Sequence, residues 1–158
     1  MAAKARRILA VAARRDQLCA LYMRGDKIED WCASRKAGSS AGVAVLQLRR
    51  WYKTYQPEIL ISENPDTATR KGEKNINILK AIAAENKDYD APNYLVTRQQ
   101  RYKNLYEEAE ALAERYPDLA PKLKEKPQIW ESEPRDVIYF EALSMALQVL
   151  NQEQRLRA

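Results

Sequence analysis

Apolar and polar positions divide the chain into short, well-separated elements. Ile8 to Ala13 is an apolar run, and Leu18 to Met23 is a second. Gly25-Asp26 then suits a type II′ hairpin turn, which takes glycine first. Lys27 to Ala33, with Trp31 and Cys32 inside it, completes an antiparallel meander of three strands. Val45, Leu48, Tyr52 and Tyr55 recur at helical spacing, so residues 41–55 read as an amphipathic helix, with Ser39 or Ser40 to cap it and Pro57 to end it. Glu58 to Glu63 is nearly continuous in apolar residues, as expected of a strand covered on both faces, and Asn64-Pro65-Asp66 stops it.

The second half alternates in the same way. Glu73 to Glu85 carries Ile76, Leu79, Ile82 and Ala83 on one helical stripe. Tyr94-Leu95-Val96 is a short strand, and Arg101 to Tyr116 is a helix on the spacing of Leu105, Ala109, Leu112 and Tyr116. Residues 117–134 hold Pro117, Pro121, Pro127 and Pro134 and read as a long loop, a kind of segment that often carries function. Asp136 to Leu150 is apolar over much of its circumference, so the last helix is expected to be buried, with 151–158 a polar tail. Three antiparallel strands followed by β-α units give an α/β fold: a mixed five-stranded sheet with helices on both faces, in one domain over residues 1–150.

Composition narrows the chemistry. Hydrophobic residues make up 46% and charged ones 31%, the balance of a soluble globular domain, and no apolar run approaches a bilayer span. Arg14 and Arg15 interrupt the apolar stretch near the start, so no signal peptide is expected and the cytoplasm is the expected compartment. If Gly25-Asp26 sets the hairpin register, Cys19 faces Cys32; both read as reduced core thiols. With no histidine there is no Ser-His-Asp or Cys-His nucleophilic site and no His-bound zinc, and two cysteines cannot make a Cys₄ zinc site. Neither a G-x-G-x-x-G nor a G-x-x-x-x-G-K-[ST] sequence occurs. For catalysis, carboxylates with a metal remain, or nothing.

The net charge of +5 is clustered. Lys4, Arg6, Arg7, Arg14 and Arg15 precede the first acid, and Arg49-Arg50-Trp51-Tyr52-Lys53, Arg70-Lys71 and Arg98-Gln-Gln-Arg101-Tyr102-Lys103 add further basic groups beside aromatics. Such interleaving suits a nucleic-acid partner or an ordinary solvated surface.

Element order and acidic positions together resemble the ribonuclease H-like superfamily, in particular Holliday-junction resolvases of the RuvC type. The likeness spans residues 6–150. In that family the first strand ends in Ile-Asp-Pro-Gly; here Ala10-Val11-Ala12-Ala13-Arg14 matches it and puts Ala12 at the Asp. Glu63 matches the glutamate that ends the fourth strand. Ile138-Tyr139-Phe140-Glu141-Ala142-Leu143 matches the Asp-Ala-Ala-Asp-Ala-Leu pattern of the last helix, with Ile138 at the first acid and Glu141 at the second.

The resemblance implies a carboxylate site for Mg²⁺ or Mn²⁺ built on Glu63, Glu141 and Asp136, with Glu133 and Asp66 as further ligands. Asp16 is the one acid close to Ala12, but it falls in the hairpin turn; Glu133 and Asp136 are the better substitutes. It also implies nucleic-acid backbone contacts from Arg70, Lys71 and Lys74, and a homodimer; the basic clusters add Arg14, Arg15, Arg98, Arg101 and Lys103 as candidates for the same contacts. Each acid has a plainer use: Glu63 can bond the following turn, Asp136 can cap the last helix, and Glu141 can pair with an arginine such as Arg98 or Arg14. Two functions follow: a metal-dependent endonuclease acting on branched or structured DNA, or a catalytically degenerate relative that binds nucleic acid or a protein partner without cutting. A third reading is an interaction domain whose acids bond internally.

Overall fold

The computed structural model describes residues 5–68, 71–98, 105–123 and 137–157. Five strands form one sheet: β1 (Arg7–Arg14), β2 (Gln17–Arg24), β3 (Lys27–Ser34), β4 (Ile59–Glu63) and β5 (Asn93–Val96). Their order is β3-β2-β1-β4-β5. The meander is antiparallel, whereas β1 pairs with β4 and β4 with β5 in parallel. The carboxyl ends of β1, β4 and β5 therefore open on the same edge.

β1 is buried on both faces, which explains its unbroken Ile-Leu-Ala-Val-Ala-Ala run. Ile8, Ala10 and Ala12 pack on one side with α3 (Leu105–Arg115) and α4 (Val137–Arg157). Leu9, Val11 and Ala13 pack on the other with α1 (Ala41–Tyr55) and α2 (Glu73–Asn86). The Ser40 hydroxyl caps α1 by accepting from the Val43 amide. At its far end Gln56 takes the left-handed conformation ahead of Pro57.

The two hairpin turns lie at opposite edges of the sheet, Gly25-Asp26 beside the start of β1 and Arg15-Asp16 at its carboxyl end. At Gly25-Asp26 only the glycine has positive φ, as a type II′ turn requires. Arg15 and Asp16 both have positive φ, so two residues with side chains occupy a type I′ turn. Gly38 packs against this turn: a Cβ there would stand 2.4 Å from the Asp16 carbonyl carbon.

Three details differ from the sequence reading. In β2–β3 the register set by the turn holds for Arg24↔Lys27 and Met23↔Ile28, then shifts at a bulge, so Cys19 faces Ala33 and Cys32 faces Ala20. The extra residue sends Cys32 to the opposite face from Cys19. Both cysteines are free. Within the proline-rich segment, Pro117–Lys122 forms 3₁₀ turns. The last helix continues to Arg157, so residues 151–157 are helical in backbone where a polar tail was expected.

Candidate functional site at the carboxyl edge

Alternation places the site residues. Ile59 and Ile61 face α4, so Glu63, two residues on, faces it too. The β1–β4 pairing ends at Val11↔Ser62, and one further step sets Ala12 beside Glu63 on that same face. Ala12 is fully buried. Glu141, also fully buried, enters from α4. Fold and register thus bring Glu63, Glu141 and Ala12 to one place.

Between the acids stands Lys71. Its Nζ lies 2.8 Å from Glu63 Oε1, contacts Glu141 Oε1, and donates to the Ala13 carbonyl at 2.8 Å. The Glu63 contact is an ion pair without hydrogen-bond alignment, and Glu63 Oε1 has no hydrogen-bond partner among the described residues. Gly72, at φ +83°, turns the chain between Lys71 and α2.

The other oxygen of Glu141 faces two arginines. Arg14 Nη1 donates to Oε2 at 3.2 Å, and Arg98 Nη1 lies 3.7 Å from it. Arg98 is in turn paired with Glu108 of α3, itself buried. Burial alone would push the Glu141 carboxyl up; the charges of Lys71, Arg98 and Arg14 outweigh it and hold the group below its ordinary value. A buried carboxylate with this many partners is stable as the anion.

The remaining expected residues are dispersed. Asp66 is exposed in the turn after β4, where its amide donates to the Asn64 side chain. Asp16 sits in the hairpin turn and pairs with Lys74 at 2.8 Å. Arg15 is exposed at that turn. Lys71, expected to face phosphates, is turned inward with its side chain only 10% exposed. Glu133, Asp136, Arg70, Arg101 and Lys103 lie outside the described residues. Glu108 was not anticipated. Its signal is positional: Leu105, Glu108, Ala109 and Leu112 fall on one helical stripe, so the acid sits on an apolar face.

A two-metal site needs several carboxylates converging on ions about 4 Å apart. The described residues do not fit it. Among them no three His, Cys, Asp or Glu side chains stand together so as to hold an ion. An ion touching both Glu63 and Glu141 would also stand against the Lys71 ammonium. At 4 Å and an effective dielectric near 20, that repulsion is roughly 8 kcal/mol, twice the figure for unit charges.

No protein-family model matches the chain, and no curated protein matches it in sequence. Solved structures do. The chain resembles the Thermus thermophilus RuvC structure with a TM-score of 0.60 and 14% identity, over 94% of this chain and 96% of that one. It resembles T. thermophilus RuvC in complex with a Holliday junction substrate with a TM-score of 0.57, at the same identity and coverage. These likenesses define the class of the fold: it is RuvC-like, of the ribonuclease H-like type. No helix among the described residues is long and apolar enough to cross a membrane.

Proposed function

We propose that this chain is a RuvC-like domain that binds branched or structured nucleic acid at the carboxyl edge of its parallel strands and does not cut it by two-metal hydrolysis. The observation that carries this reading is the paired state of the acids: Lys71 holds both Glu63 and Glu141, and the position beside them is Ala12. Charge supports nucleic acid as the partner. The chain carries +5, and Arg15 of the β1–β2 turn and Lys74 of the first turn of α2, which pairs with Asp16, are exposed at this edge, whereas Arg14 and Arg98 are engaged with Glu141. One structure of similar fold holds a Holliday junction substrate.

The other reading, a Mg²⁺- or Mn²⁺-dependent endonuclease, draws on Glu63 and Glu141 standing at the matching positions. It would need Glu133 or Asp136 to complete the ligand set and Lys71 to leave it.

Binding of labelled four-way junction, duplex and single strand across a salt series tests the proposal. The junction should bind most tightly, with log K falling linearly against log salt. Arg15→Ala and Lys74→Ala should each lower the slope by about 0.9. Failure to bind any of the three substrates would overturn it.

A further inference from the structure

We infer that the Lys71 ammonium is the resident cation of this site, doing the holding that a divalent ion would otherwise do, and that Ala12 and Lys71 act together, the one leaving out a further acid and the other supplying the cation. The inference rests on the reading of the edge as one that works without metal, and it adds what takes the metal's place.

Position is the first support. Nζ of Lys71 meets three oxygens that come from three elements: Glu63 of β4, Glu141 of α4 and the Ala13 carbonyl of β1. That is the hard-oxygen surrounding a cation needs, and here the cation is covalently part of the chain.

Charge is the second. Among the described residues the carboxylates of Glu63, Glu141 and Glu108 face the cations Lys71, Arg14 and Arg98, three against three, so the described part of the network is balanced. Two further positive charges would unbalance it. An aspartate at position 12 would add a negative charge at a buried point, and the methyl group of Ala12 leaves that charge out.

Lys71 is therefore a positioning residue. It draws the β4–α2 connection onto the sheet edge and keeps Glu63 and Glu141 aligned, so the edge stays assembled with no divalent ion. Placing an acid at position 12 and removing the ammonium together should turn the same place into a metal site.

The test is Mn²⁺ titration followed by electron paramagnetic resonance, with unfolding temperature in Mn²⁺ and in chelator as a second readout. The full chain is compared with Glu63→Gln and with the double variant Ala12→Asp/Lys71→Ala. The unaltered chain should show no stoichiometric Mn²⁺ site and the same unfolding temperature in both solutions. The double variant should bind Mn²⁺ at least about tenfold more tightly and unfold at higher temperature when it is present. A stoichiometric Mn²⁺ site in the unaltered chain, lost in Glu63→Gln, would overturn the inference. So would a folded double variant with no gain in affinity. If the double variant does not fold, the titration of the unaltered chain decides alone. No nucleic acid enters this experiment, so a chain that binds neither Mn²⁺ nor nucleic acid would sink the proposed function and leave this inference standing.

Discussion

Arg14 donates to Glu141 at 3.2 Å across 127 residues of sequence, joining the end of the first strand to the last helix. The same carboxylate meets Lys71 from the β4–α2 connection and Arg98 from the end of β5. Four segments of the chain thus converge on one buried anion. Its removal should be felt as a loss of tertiary structure before it is felt as a loss of any activity.

Glu141→Gln keeps the shape of the side chain and removes its charge, leaving Lys71, Arg14 and Arg98 without their shared partner. Breaking a buried ion pair from one side costs about 3–5 kcal/mol. Urea unfolding should show a loss of that size with an unchanged slope against denaturant. A loss within ~0.5 kcal/mol, typical of a surface substitution, would mean that the network contributes little to folding.

Acid should weaken the fold through the same group. The folded-state pKa of Glu141 lies below its ordinary value, because three cations outweigh the effect of burial. As pH falls, the unfolded chain binds this proton first, since its value is about 4.3. The stabilising contribution is therefore complete above that pH and is lost as pH falls through the folded-state value. Urea midpoints measured at successive pH values should fall more steeply on the acid side for the unaltered chain than for Glu141→Gln. Equal slopes would contradict the assignment.

Gly38→Ala should loosen the hairpin that carries Arg14 and Arg15. The added Cβ would stand 2.4 Å from the Asp16 carbonyl carbon and 2.5 Å from the Gln17 amide nitrogen, and both are backbone atoms. Overpacking of this kind costs about 1–3 kcal/mol, which chemical denaturation reads directly. Gly42→Ala is the control, since its Cβ would meet nothing within 4 Å.

Oxidation should not link Cys19 to Cys32. The bulge in β2–β3 places Cys19 among the residues that face α4 and packs Cys32 against the α1 side. Mass spectrometry after mild oxidation should find no intramolecular loss of two hydrogens. A linked species would mean that the register runs through to Cys19 without the shift.

Much of this was legible in the sequence because it follows from periodicity. The both-sides-apolar run of β1, the meander, and the strand ending on Glu63 all follow from local pattern. Glu141 stood out as an acid on an apolar helix, and its pairing with Arg14 or Arg98 was open to sequence reasoning; the structure supplies both. The β2–β3 register was not legible, since one extra residue inside a strand leaves its apolar pattern almost unchanged while it reverses the faces beyond it. Nor was the role of Lys71. A lysine in a basic loop reads as a surface charge, and only the three-dimensional approach of β4, β1 and α4 gives its ammonium three oxygen partners. Glu108 sat on a visible apolar stripe, yet its partner Arg98 lies in a different element.

The central claim is that this edge holds nucleic acid without a metal and leaves it intact. The most direct test incubates a labelled four-way junction with the full chain in Mn²⁺ or in chelator, beside Glu63→Gln and Glu141→Gln, and scores both the bound complex and the strands. The account predicts equal binding in the two solutions and strands of unchanged length. Strand scission that needs Mn²⁺ and disappears in both variants would contradict it.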